Sequence, residues 1–267
     1  MPSPLFSSLL LIGCGKMGAA LATGWLQANS IGERLWIADP APLPAALAAD
    51  ARVLLWTGDA APDAVVLAIK PQQFAAVLPA YRGHLGQRPL VVSIAAGVTL
   101  AHIADLLAYD GPIVRAMPNT PAAIGQGITA LVANDAIRAA ECAQAEQLMA
   151  ATGATLWLQD EEQMHAVTAL SGSGPAYVFA FIEALTAAGV ALGLPQAMAA
   201  HLARATVTGS AALAASSAES PATLRQNVTS PGGTTAAGLA VLQATLPDLL
   251  RTTTHAAANR SRELAQA

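Results

Sequence analysis

Charge is scarce in this sequence: 11% of its 267 residues are Asp, Glu, Lys or Arg, where about 25% is usual for a soluble domain. The formal net charge is -4, so no basic surface is on offer and a nucleic-acid partner is excluded. Cysteine is equally sparse. Cys14 and Cys142 are the only two, too few for a disulfide framework or a cysteine metal centre, and a reducing cytoplasm is the expected compartment. Long apolar runs are missing too. The most hydrophobic region, Met164 to Leu194, is interrupted by His165, the tetrad SGSG (171–174), Pro175 and Glu183. A spanning helix wants about 20 predominantly apolar residues, so no membrane span is expected. The early run LFSSLLLIG is short and no Lys or Arg precedes it, which argues against a signal peptide and for a first strand.

What is plentiful is small apolar side chain. Hydrophobic residues make up 54% of the chain, leaving little polar material to cover a monomer. Broad apolar patches would be exposed, so subunit association is expected.

The chain falls into two stretches with different patterns. Up to residue 160, short apolar runs alternate with helical ones: LFSSLLLIG, RLWIADP, RVLLWT, AVVLAIKP, LVVSIAAG, PIVRAMP, ITALVA and ATLWLQ read as strands. Helical stretches such as AALATGWLQA and the alanine-rich run 136–151 lie between several of them. This grammar predicts βαβ units and a mainly parallel sheet with helices on both faces. After Asp160 the strand signals stop. Helices are expected over 161–193, from Pro195 onward, and in a last stretch before the C-terminus, with DEEQ (160–163) opening the first. The expected organisation is a dinucleotide-binding domain over 1–160 and an all-α domain over 161–267.

Gly13-Cys14-Gly15-Lys16-Met17-Gly18 fits the spacing G-x-G-x-x-G between a strand and a helix, the context that a dinucleotide-binding turn requires. Gly13 makes the tight turn, Gly15 lets backbone approach a pyrophosphate, and Gly18 lets helix and strand pack closely. Free N–H groups at the helix start then face the phosphates. Asp39 ends the second strand, 21 residues after Gly18, close to the offset of a ribose-binding acid. A carboxylate there repels a 2′-phosphate and favours NADH, although a residue before Pro40 can also simply open a turn. The two lysines, Lys16 and Lys70, should flank one crevice beyond the carboxyl ends of the strands. SIAAG (93–97) ends the next strand in small residues suited to a nicotinamide ring.

Taken in order, LIGCGKMG, LAIKPQ, SIAAGVTL, RAMPNTPAAIGQG, ALSGSGPAYVFAFIEAL and NVTSPGGTT resemble the pyrroline-5-carboxylate reductase family. The resemblance covers nearly the whole chain, and PNTP, SGSGPAY and SPGGTT are its specific parts. It implies NAD(P)H-dependent reduction of 1-pyrroline-5-carboxylate to L-proline, the last step of proline biosynthesis. A Rossmann domain and a helical dimerisation domain come with it, in a homodimer or a ring of dimers. Carried over by motif, Ile12 to Met17 hold the dinucleotide phosphates. Ala68, Ile69, Lys70 and Pro71, with Ala95, Ala96 and Gly97, line the cofactor crevice, and Asn227 reaches it from the helical domain, of the same or of a neighbouring subunit. The family often has Ser, Thr or Arg chemistry after the second strand where this chain has Asp39, which puts the usual NADPH preference in question.

On the same footing, Ser230, Gly232, Gly233 and Thr234 grip the carboxylate of the cyclic imine. Thr235 sits near the ring nitrogen as the catalytic hydroxyl. Glu161 is either a substrate-side carboxylate or an acid at a helix start. His165 and His201 have no partner visible in sequence and read as structural. Two rivals remain at this point: a β-hydroxyacid dehydrogenase, disfavoured because no lysine follows Lys70, and a non-catalytic dinucleotide sensor.

Overall fold

The structure is a computed structural model that describes residues 4–58, 61–86 and 88–266. It separates into two compact units, one of residues 1–173 with 257–267, the other of residues 174–256.

The first unit is built on one eight-stranded sheet. Its strands are β1 (Phe6–Ile12), β2 (Ile31–Ala38), β3 (Val53–Leu55), β4 (Ala64–Leu67), β5 (Leu90–Ser93), β6 (Ile113–Met117), β7 (Gly127–Ala133) and β8 (Gly153–Trp157). Every strand read from the sequence is present. They lie in the order β3-β2-β1-β4-β5-β6-β7-β8, so the chain reverses its direction of travel across the sheet between β1 and β4. All neighbours are parallel except β6 and β7. Only a short 3₁₀ turn, Thr120–Ile124, joins those two, and a parallel crossover needs a dozen or more residues.

Both faces of the central strands are buried, which explains their nearly continuous apolar runs. Leu9 and Leu11 of β1 turn to one face, where Leu21 and Trp25 of α1 (Lys16–Gln27) and Leu148 of a later helix cover them. Leu10 and Ile12 turn to the other, against Phe74, Ile103 and Leu107. The helices between strands are α1, α2 (Ala45–Ala48), α3 (Phe74–Val77), α4 (Leu100–Leu107) and α5 (Ala139–Ala150), the helix that carries Leu148. Trp25 is fully buried and its indole N–H donates to the Leu148 carbonyl at 3.0 Å, joining α1 to α5.

Past β8 come α6 (Gln163–Val167) and a π-helical turn, Thr168–Gly172. The helix expected over 161–193 is therefore interrupted by a widened turn at SGSG. A Cβ on Gly172 would lie 2.5 Å from the Met117 methyl of β6, so glycine here admits that methionine. The sequence division at residue 160 and the compact division at 173/174 differ for a physical reason. Glu161, Met164 and His165 are all tied to the first unit, Glu161 through Arg115 and His165 through Ser261.

The second unit contains α7 (Gly174–Ala191), α8 (Gln196–Ser216), α9 (Pro221–Asn227) and the first two-thirds of α10 (Thr234–Gln266). At Gly189 of α7 a Cβ would meet the Ala199 Cβ of α8 at 3.1 Å, so these two helices pack through small residues. Many large apolar side chains in this unit are exposed, Phe179 at 59%, Leu192 at 86% and Val241 at 74% among them. The run Gln163–Ala191 is long and apolar enough to cross a membrane by length and composition.

Candidate active site

The predicted cofactor residues converge on one edge of the sheet. Ile12 ends β1 and is paired with Ala38 on one side and Leu67 on the other, and Leu67 is in turn level with Ser93 of β5. Asp39, Gly13 to Gly18, Ala68 to Pro71 and Ala95 to Gly97 thus follow the carboxyl ends of four adjacent strands, β2, β1, β4 and β5. That edge, at a reversal of strand order, is where open α/β sheets bind ligands. Lys16 and Lys70 both emerge there and both are exposed.

The three glycines of the first loop are distinguished by what surrounds them. Gly13 has φ +93°, and a Cβ on it would lie 2.7 Å from the Ala68 carbonyl oxygen. A Cβ on Gly18 would lie 2.5 Å from the Gly13 carbonyl oxygen. A Cβ on Gly15 would meet nothing within 4 Å. Packing explains Gly13 and Gly18; at Gly15 the space in front of the backbone is open. The first amides of α1 have no intrahelical acceptor, and they lie beside that space with the positive end of the helix dipole. Such an arrangement can accept a diphosphate.

Asp39 performs two tasks. Its Oδ2 accepts the Cys14 N–H at 2.5 Å and its Oδ1 accepts the Ala41 N–H at 2.8 Å. The second bond is the turn that Pro40 foreshadowed; the first fastens the carboxylate to the glycine loop itself. Burial, and then the nearby Asp39 charge, push the Cys14 thiol up, so it remains a protonated, unreactive group at neutral pH.

Glu161 is engaged within the protein. Its Oε1 accepts a hydrogen bond from the Leu100 N–H at 2.8 Å and pairs with Arg115 Nη1 at 2.5 Å. Arg115 is the residue that sequence reasoning passed over. It is 5% exposed, and its one signal was a lone charge inside the apolar run PIVRAMP. His165 is also buried, with Nδ1 2.9 Å from Ser261 Oγ. Burial lowers its pKa chiefly, with Arg115 and Arg262 adding to the effect against the opposing Glu162 and Glu161.

In the helical unit, residues 228–233 form the turn before α10. Gly232 has φ +70°, a left-handed conformation that favours glycine. A Cβ on Gly233 would lie 2.4 Å from Ser230 Oγ, so the turn folds tightly on its own serine. The Gly233 N–H donates to the Ser230 carbonyl at 3.1 Å, and α10 then starts at Thr234 with free N–H groups. Ser230, Thr234 and Thr235 are exposed, and among the described residues their hydroxyls have no protein partner. Asn227 ends α9, with its Nδ2 donating to Glu219 Oε2 at 3.1 Å.

Comparison with known proteins converges on one family. The description "pyrroline-5-carboxylate reductase dimerisation" matches residues 161–264, and "NADP oxidoreductase coenzyme F420-dependent" matches residues 8–97. A pyrroline-5-carboxylate reductase of Pseudomonas aeruginosa is 42% identical over 97% of each chain. Among solved structures, the Coxiella burnetii pyrroline-5-carboxylate reductase superposes with TM-score 0.88 at 34% identity, covering 98% of this chain and 99% of that one. The Plasmodium falciparum pyrroline carboxylate reductase, with NADP bound, gives TM-score 0.84 at 30% identity over 97% and 98%.

Proposed function

This chain belongs to the pyrroline-5-carboxylate reductase family, and from that premise we propose how its residues divide the reaction. The activity is NAD(P)H-dependent reduction of 1-pyrroline-5-carboxylate to L-proline, an oxidoreductase step of proline biosynthesis. The chain acts as a homo-oligomer through its dimerisation region, residues 161–264.

The nucleotide phosphates lie against Gly13, Cys14, Gly15, Lys16 and Met17. The observation that carries this reading is the open space at Gly15 between two glycines that are tightly packed. Ile12 and Gly18 support the turn, and Ala68 to Pro71 and Ala95 to Gly97 line the remainder of the crevice. Asp39 accepts hydrogen bonds from a ribose diol and opposes a 2′-phosphate, which favours NADH. When bound, the reduced nicotinamide supplies the hydride.

The helical unit supplies the grip on the substrate. Ser230, Gly232, Gly233 and Thr234 hold its carboxylate through hydroxyls and free N–H groups at the start of α10, where an anion is favoured. Thr235 donates its hydroxyl hydrogen bond to the ring nitrogen as the amine develops, and Asn227 contributes on the cofactor side. A protonated imine is already a strong electrophile, so orientation is the main task of the protein and is worth roughly 7–11 kcal/mol in favourable cases. The enzyme works in the cytoplasm, as a dimer or a ring of dimers, on a small cyclic imine carboxylate, and binds neither nucleic acid nor membrane. The sparse charge and two free cysteines support that setting, and an oligomer interface accounts for the exposed apolar side chains of the helical unit.

The test is the loss of nicotinamide absorbance on adding 1-pyrroline-5-carboxylate, with NADH and NADPH in parallel. Oxidation that depends on the imine supports the reading. A folded protein that binds nucleotide and oxidises neither would refute it.

A further inference from the structure

Arg115 is buried in the middle of β6 at 5% exposure, and among the described residues its Nε has no hydrogen-bond partner. A buried guanidinium left partly unsatisfied is costly, and apolar residues in its place would often serve stability as well or better. Its carboxylate partner shows what the charge does. Glu161 Oε1 accepts from Arg115 and from the Leu100 N–H with the same oxygen. Leu100 is the first residue of α4 and directly follows the loop 94–99 that carries Ala95, Ala96 and Gly97.

That loop is hydrogen-bonded at its two ends. At the upstream end the Ile94 N–H donates to the Leu67 carbonyl at 3.0 Å. At the downstream end the Leu100 N–H donates to Glu161. Among the described residues, the amides of Ala96 and Gly97 donate to nothing between these anchors.

We propose that Glu161 is a positioning residue: oriented by the buried Arg115, it fixes the Ala95–Gly97 loop through the Leu100 N–H and does not touch the substrate. This inference rests on the assignment of Ala95 to Gly97 to the cofactor crevice.

The full-length enzyme tests it with Glu161→Ala, Glu161→Gln and Leu100→Pro. Leu100 is the first helical residue, where proline is tolerated, and Thr99 before it is extended at φ -77° and ψ 158°. Leu100→Pro therefore deletes the N–H while leaving the Glu161–Arg115 pair in place, and it carries the test if Glu161→Ala fails to fold. Glu161→Ala and Leu100→Pro are expected to lower kcat at least about tenfold, since small misplacements are costly in a hydride-transfer site. KM for the imine should stay within about twofold of wild type. Glu161→Gln keeps an oxygen acceptor and should recover most of the turnover. In binding titrations, NAD+ affinity should weaken in Glu161→Ala while AMP affinity stays.

A raised imine KM with kcat unchanged, with Gln as damaging as Ala, would overturn the proposal in favour of direct substrate contact. Wild-type behaviour of both Glu161→Ala and Leu100→Pro would overturn it outright. Ala96→Val separates the premise from the inference. If it is silent while Glu161→Ala is damaging, the crevice assignment fails and takes the inference with it; if it alone is damaging, only the inference fails.

Discussion

Gly18 passes so close to Gly13 that a Cβ on Gly18 would lie 2.5 Å from the Gly13 carbonyl oxygen, while Gly15 between them faces open space. One loop thus contains a glycine that the protein's own packing requires and a glycine that packing does not. Gly18→Ala is expected to destabilise the fold by about 1–3 kcal/mol, the usual range for overpacking. Gly15→Ala should melt near the wild-type temperature yet bind NADH and NADPH at least tenfold more weakly. Thermal denaturation and nucleotide titration of both variants separate the two. Equal nucleotide affinity in Gly15→Ala and wild type would remove the pyrophosphate from this loop.

If Asp39 faces the adenosine ribose, it links cofactor choice to loop geometry, because its Oδ2 holds the Cys14 N–H. Asp39→Ser then removes the charge that opposes a 2′-phosphate but retains a small hydrogen-bonding side chain. The ratio of kcat/KM for NADPH over NADH should rise about tenfold or more, equivalent to 1.4 kcal/mol or more of relieved repulsion. An unchanged ratio would leave Asp39 with its two backbone bonds alone.

The central strands were legible because their apolar runs are nearly continuous, the pattern of a sheet covered on both faces, as in Leu9 to Ile12 of β1. Gly13 to Gly18 were legible for the same local reason, since a strand, a turn and a helix are contiguous there. Relationships between distant residues carry no such signal. Arg115 and Glu161 are 46 positions apart, and nothing in either neighbourhood announces the other. The last turns of α10 belong to the first unit, with Leu264 beside Gly97, although their sequence reads as a continuation of the helical half. Nor does the SGSG tetrad announce that its Gly172 makes room for Met117, a residue from the sheet.

His165 is expected to make the stability of the first unit depend on pH. Burial lowers its pKa below the ordinary 6.5, so the folded state prefers the neutral ring while the unfolded chain takes up a proton more readily. Stability from this group is present above about pH 6.5 and declines as pH falls below it. His165→Gln should flatten the profile of melting temperature between about pH 7 and pH 5. Parallel profiles for the two proteins would show that other groups set the dependence.

Thr235 has an exposed hydroxyl with no protein partner among the described residues, one residue inside a helix start suited to an anion. If that hydroxyl meets the ring nitrogen, its bond strengthens as the imine becomes an amine and contributes mainly in the transition state. Thr235→Ala should then lower kcat by about 10²-fold, the usual loss for one well-placed donor. NAD(P)H affinity should be unchanged, because the glycine loop is untouched. Thr235→Ser restores the donor and should recover most of the rate, which distinguishes hydrogen bonding from the loss of a methyl contact. Unaltered turnover in the alanine variant would assign the hydroxyl to the surface and leave the orienting role to the carboxylate grip of residues 230–234.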